Sequence, residues 1–164
     1  MQTTTLTYRI RPIHRDTVAA LLVRDDAGRA PRVVVDDAGG SPLRCCLEPT
    51  RPGEAVALVS YAPLRRWARE KGIDPGAYDE VGPIFLHLEG CEGAPSGGYP
   101  SCLRTAPRVF RAYSSGGAIL RGTLVEANGK FDETLEALFD DRDVALVHAR
   151  ALAFGCFTFE ARRI

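Results

Sequence analysis

Lysine is nearly missing from this 164-residue chain: Lys71 and Lys130 are the only two among 21 basic residues, the rest being arginine. That excess reads as a compositional bias rather than a demand for guanidinium chemistry. Net charge is missing too, with 21 acidic residues against the 21 basic ones. The balance excludes the basic surplus of a phosphate-neutralising protein, so no nucleic-acid partner is expected. Long apolar runs are absent: the longest, Val18 to Val23, falls far short of the roughly 20 residues that cross a bilayer, so no membrane segment is expected. Met1 to Thr5 has neither a basic stretch nor an apolar core. No secretory leader is therefore expected, and the expected compartment is the cytoplasm. The Cys-x-x-Cys spacing of zinc ribbons and thioredoxin-like sites is lacking as well.

Five cysteines are present, at positions 45, 46, 91, 102 and 156. An odd number without an export signal suggests reduced thiols rather than a disulfide framework. The length suits one compact domain, 1–164, able to bury roughly 70% of its unfolded surface without a metal or disulfide.

Glycine and proline cluster at 28–31, 39–42, 49–53, 72–76 and 90–100, which marks loops between short elements. The longest, Gly90 to Pro100, is expected to be functional or mobile. Periodicity predicts strands over Tyr8–Ile13, Val33–Val35, Leu43–Leu47, Glu54–Tyr61, Ile84–Glu89, Val109–Tyr113, Ile119–Val125, Val144–Arg150 and Cys156–Arg162. Helices are predicted over Arg15–Arg24, Leu64–Lys71 and Phe131–Phe139. The expected fold is α+β, a largely antiparallel mixed sheet with two or three helices. A parallel crossover is expected from Ile119–Val125 through the last helix to Val144–Arg150.

The closing strands allow a register argument. Ala145, Val147 and Ala149 form one apolar face, and Gly155, Phe157, Phe159 and Ala161 another. Pairing Val147 with Phe157 turns both toward one core, leaves the loop Ala151 to Ala153 and sets His148 opposite Cys156. Opposed residues lie within thiol–imidazole reach, and an adjacent imidazole lowers a thiol pKa. Cys156 is thus a candidate nucleophile with His148 as its base. The alternative is that Cys156 packs as a small hydrophobe. On Ile84–Glu89, His87 and Glu89 share a face and form a candidate acid/base pair, joined by Cys91 if the strand continues. No cofactor is expected, the alternative being a metal held by His87, Cys91, His148 and Cys156. Cys45 and Cys46 are expected to pack.

Three stretches resemble a known family: Arg51-Pro52-Gly53-Glu54 with Leu58-Val59-Ser60-Tyr61, then Tyr78 through His87, then Val147-His148-Ala149-Arg150 with Gly155-Cys156-Phe157. In this order they resemble the bacterial family catalogued as domain of unknown function 1203, from about Pro42 to Arg162. Arg44-Cys45-Cys46-Leu47 is similar to the Arg-x-x-Leu strand that family members carry before the Pro-Gly-Glu turn. Some members have a cysteine where this chain has Leu43, which speaks against a site through the first cysteine pair. The resemblance implies a cytoplasmic single domain and adds no reaction.

The expected function is action on, or binding of, a small molecule. The pocket is expected between the closing hairpin and the His87 strand, with the Gly90–Pro100 loop as rim. Arg104 or Arg150 would hold an anionic group by bidentate hydrogen bonds, and Phe85, Phe157 and Tyr99 would shape the walls. A homodimer through an exposed strand edge or the Trp67 helix is the third possibility.

Overall fold

The computed structural model describes residues 5–94 and 97–164, so residues 1–4, and Pro95 and Ser96 of the expected rim loop, lie outside the described residues. In chain order the elements are β1 (Tyr8–Arg11), α1 (Arg15–Leu21), β2 (Arg32–Asp36), β3 (Glu54–Tyr61), α2 (Pro63–Lys71), β4 (Gly82–His87), β5 (Arg108–Tyr113), β6 (Ile119–Val125), α3 (Phe131–Asp140), β7 (Leu146–Ala151) and β8 (Phe157–Arg163). Single 3₁₀ turns cover Gly76–Tyr78 and Ser101–Leu103. No helix among the described residues is long and apolar enough to cross a membrane.

The α+β expectation holds, but the strands divide into two sheets rather than one. The larger runs β1-β8-β7-β5-β6 and the smaller β2-β3-β4, with every strand pair antiparallel. Because β6 and β7 both lie antiparallel to β5, they run parallel to each other with β5 between them. The α3 connection therefore joins parallel strands that are not neighbours.

Local chemistry accounts for the helices. Pro63 opens α2, where its missing N–H costs nothing, and Gly72 ends it with a φ of 68°, which a side chain would resist. In α3, Phe131, Leu135, Leu138 and Phe139 recur at helical spacing and are all buried. They pack with Phe110, Val147, Ala149, Phe159 and Ala161 from one face of the large sheet. The small sheet has its own core, in which α1 supplies Val18 and Leu21 and the turn after β2 supplies Leu43, Cys45 and Cys46.

Two expectations fail, each for a definable reason. Leu43–Leu47 is a turn, not a strand. The Leu47 N–H donates to Leu43 O at 2.8 Å, and Leu47 has a φ of 61°. An i to i+4 bond of this kind rolls the chain up, whereas an extended strand would send neighbouring side chains to opposite faces. The β7–β8 register differs too: Val147 lies opposite Ala161, His148 opposite Glu160 and Ala149 opposite Phe159. The loop is 152–156, and a bulge after Ala149 brings Phe157 opposite Arg150. The shift of four residues preserves parity, so Val147, Ala149, Phe159 and Ala161 still face α3, whereas the bulge turns Phe157 to the other face, against Tyr61 and His148. Hydrophobic alternation decides the face and is blind to an even-numbered slip.

Candidate metal centre

The turn at 43–47 builds the site. Leu43 N–H donates to Glu48 O at 2.9 Å, closing the loop that Leu47 folds from within. Arg44 then clamps it to the rest of the protein. Its backbone N–H donates to Phe85 O at 3.0 Å, its Nε donates to Phe157 O at 2.8 Å, and Nη1 donates to Pro42 O. Burial lowers Arg44 to about 10, so it remains a cation satisfied by backbone carbonyls. With the turn pinned between β4 and β8, Cys45 and Cys46 face the end of β4, where His87 stands.

Cys45, Cys46, His87 and Cys91 each bring one donor atom to a common point, all within 4.8 Å of one another. His87 Nδ1 lies 3.4 Å from Cys45 Sγ and 3.7 Å from Cys46 Sγ. Sulfur and nitrogen ligands at roughly 2.3 and 2.0 Å from a tetrahedral zinc stand about 3.5 Å apart, so these separations match a shared ion. Backbone donors support the sulfurs: His87 N–H points to Cys45 Sγ and Gly93 N–H to Cys91 Sγ, each at 3.4 Å. Such bonds favour the thiolate form that binds metal. The two adjacent thiols split in acidity. A hydrogen bond from Cys45 brings Cys46 below the usual thiol range, and the same contact, followed by burial, pushes Cys45 up.

The second nitrogen of His87 is also engaged. Nε2 lies 3.3 Å from Glu54 Oε1. The strand register explains this: Val56 lies opposite His87, so Glu54 is its diagonal neighbour on the same face. A carboxylate at Nε2 fixes the tautomer that leaves Nδ1 free to ligate, an outer-shell arrangement common at metal-bound histidines.

Beside the centre lies a groove of about 600 Å³. Cys45, His87, Glu89 and Cys91 form one wall, and Arg9, Arg11 and Arg15 belong to the other. Among the described residues, none of these three arginines has a carboxylate within salt-bridge distance. Gly90 to Ala94 edge the groove, so that part of the expected rim loop does border a cavity.

The sequence-predicted residues fall in several places. His87 and Cys91 converge as expected, but with Cys45 and Cys46 rather than His148 and Cys156. The expectation that the cysteine pair merely packs is thereby corrected: both are buried, and both also aim their sulfurs at His87. Glu89 lines the groove, while the carboxylate beside His87 is Glu54. His148 faces Glu160 across the strands and is wholly buried between Tyr113 and Phe157, at ring separations of 4.9 and 5.1 Å. Among the described residues, neither of its nitrogens has a hydrogen-bond partner. Burial, and then Arg150, Arg111 and Arg162, hold it well below the usual imidazole range. The expected His148–Cys156 opposition is therefore absent, because the register slips and Cys156 precedes β8. Cys156 Sγ instead lies 3.7 Å from Phe154 O, in a separate cavity of about 210 Å³ with Arg150 and Glu80.

Arg150 pairs with Glu80 at 2.9 Å and donates to Gly155 O at 3.0 Å. Arg104 is bound to Asp132 and lies over the Tyr99 and Phe131 rings. Tyr99 itself stacks on Phe131 at 4.2 Å inside the large-sheet core. Phe85 is half-buried against the small-sheet core. The missed cluster residues did carry a signal: two adjacent soft donors between Pro42 and Pro49, in a stretch where proline disfavours an interior strand.

An α+β fold of two antiparallel sheets, with a three-thiol, one-imidazole cluster tying a turn to a strand end, is what these observations define. The chain belongs to the family described as "Protein of unknown function (DUF1203)", whose pattern matches residues 40–163 and so takes in all four cluster residues. No curated protein and no solved structure matches the chain.

Proposed function

We propose that Cys45, Cys46, His87 and Cys91 hold one zinc ion, and that the protein binds a small anionic molecule in the adjoining groove. The observation that carries this reading is the convergence of four donor atoms from three separate stretches of chain within 4.8 Å. Three soft thiolates with one imidazole select zinc over the hard cations, and four protein donors complete a tetrahedron. A complete tetrahedron leaves no position for substrate, so the centre acts by holding the wall of the groove in shape. The turn at 43–47, the end of β4 and the segment around Cys91 are tied together at that point. The groove's opposite wall presents Arg9, Arg11 and Arg15, whose guanidinium groups suit a carboxylate or phosphate. Binding rather than turnover is the activity this geometry supports.

The test is metal content, followed by ligand binding. Protein purified without added metal is expected to carry about one zinc per chain, and cobalt exchanged into it is expected to show intense thiolate charge-transfer absorption. Substoichiometric metal together with no cobalt–thiolate band would overturn the metal reading. Calorimetric titration with inorganic phosphate and small dicarboxylates addresses the groove. Binding weakened by Arg11→Gln and by added salt supports the anionic ligand, and no heat with any of these anions removes it.

A further inference from the structure

The four outer strands of the two sheets are protected unequally. The free side of β4 is covered by the cysteine turn, through the Arg44 N–H to Phe85 O bond and a bridge between Leu43 and Phe85. β1 is short and carries exposed Arg9 and Arg11. β6 contains Gly122 and Arg121, and its pairing with β5 is interrupted by a bulge. β2 shares with these only an exposed arginine, Arg32, and among the described residues it has no covering turn, glycine or bulge. It contains no proline, glycine or lysine, its register with β3 is uninterrupted, and Val33 and Val35 are 61% and 57% exposed. An unguarded edge of this kind is a template for another strand.

The direction of its backbone groups follows from one bond. Gly53 N–H donates to Asp36 O at 2.7 Å, so the Asp36 carbonyl points toward β3. Antiparallel strands alternate, so Arg32, Val34 and Asp36 bond toward β3 while Val33 and Val35 turn their N–H and C=O groups outward. Among the described residues, no backbone bond beyond the sheet uses the Val33 or Val35 groups.

The sequence of the strand, Arg32-Val33-Val34-Val35-Asp36, is complementary to itself when reversed. We propose that β2 pairs antiparallel with β2 of a second copy about a two-fold axis at Val34, joining two three-stranded sheets into one of six. In that register Val33 lies opposite Val35 of the second copy, and each such pair exchanges two main-chain hydrogen bonds. Arg32 lies opposite Asp36 of the second copy at both ends. The Thr50 hydroxyl, and then Ser41, hold Asp36 below the usual carboxylate range, so it is anionic when it meets the guanidinium. The interface is isologous and closes at two copies, because pairing consumes the edge on both. The metal centre takes no part, so this proposal stands or falls apart from the zinc reading.

Sedimentation velocity over a concentration series reads the result directly. Wild type is expected to approach twice 17.8 kDa as concentration rises, with weaker association at high salt. Val33→Pro removes an outward N–H without touching the β3 ladder, and Val33→Lys leaves the backbone intact should the proline variant misfold. Either is expected to raise the dimer dissociation constant at least about tenfold while metal content stays as in wild type. Register is read by oxidative crosslinking against wild type as the baseline for native thiols. Val34→Cys is expected to form a covalent dimer, because Val34 meets itself as a non-hydrogen-bonded pair with Cα atoms about 4.5 Å apart. Val33→Cys, displaced diagonally from its own copy, is not. A wild type that stays monomeric at every concentration overturns the proposal. So does a dimer that survives both Val33 variants, or crosslinking at position 33 in preference to 34.

Discussion

His87 and His148 both sit on strands, and in the sequence they look interchangeable: each alternates with apolar neighbours and each has a cysteine within reach of a plausible pairing. The structure separates them completely. His87 ends β4 with about a quarter of its side chain exposed, two thiols at one nitrogen and a carboxylate at the other. His148 lies in the middle of β7 with nothing exposed and, among the described residues, no hydrogen-bond partner at either nitrogen. One imidazole is placed to ligate, with Nδ1 toward the thiols and Nε2 toward Glu54. The other is an aromatic spacer, wedged edge-on between Tyr113 and Phe157 and kept neutral by burial. What a histidine can do is decided by what occupies its two nitrogens, and those partners come from distant parts of the chain.

The sharpest way to break this comparison is to remove one of the cluster thiols. Cys46→Ala is expected to abolish stoichiometric zinc and to lower unfolding free energy by more than about 4 kcal/mol, as loss of a structural metal does. Metal analysis and urea denaturation read both effects. Full metal content in this variant would dissolve the distinction between the two histidines.

His148 makes the next largest difference, and it depends on pH. Its folded-state pKa is depressed, so between that value and the unfolded value of about 6.5 the unfolded chain binds the extra proton. Stability is therefore complete above pH 6.5 and declines as pH falls, by about 1.4 kcal/mol per unit for this group alone. Glu160, opposite His148, contributes with the other sign, since burial raises its carboxyl. His148→Leu is expected to flatten the acid slope relative to wild type and, by removing two unsatisfied nitrogens, to leave stability at pH 7 unchanged or up to about 2 kcal/mol higher. Denaturation curves collected from pH 7 to pH 5 on both proteins decide it, and an unaltered slope would mean that His148 is not held neutral.

Glu54 tests the support of His87. Glu54→Gln keeps the acceptor for the Arg51 N–H but loses the negative charge beside His87, and it is expected to weaken zinc binding by about 10–100-fold in chelator competition. An unchanged affinity would mean that the carboxylate does not orient His87. The smallest effect belongs to Cys156. Cys156→Ala is expected to retain all of the metal and to change stability by no more than about 0.5 kcal/mol. Loss of zinc in that variant would return Cys156 to the ligand set.

Much of the architecture was legible in advance. The span of β3 at Glu54–Tyr61 and that of β6 at Ile119–Val125 match expectation residue for residue, and the α3 face of Phe131, Leu135, Leu138 and Phe139 is the buried one. These are stretches whose apolar spacing has one solution. The cysteine turn was not legible, because Leu43-Arg44-Cys45-Cys46-Leu47 alternates just enough to pass for a strand. Its rolled shape depends on the Leu47 bond to Leu43 and on Arg44 reaching carbonyls in other strands. Half of the candidate site, His87 and Cys91, was visible from a single strand and its continuation. The other half depended on a fold-level contact.

The sequence by itself determined the class, the helix faces, most strand spans and the family, because each is set by local pattern or by a run of matching residues. The tertiary structure alone decided the β7–β8 register, the division into two sheets and the membership of the thiol cluster. The reason is physical. Period-two alternation cannot sense an even-numbered slip, and the donors at the cluster are brought together by a turn whose shape is held by a buried arginine, not by the spacing of the cysteines.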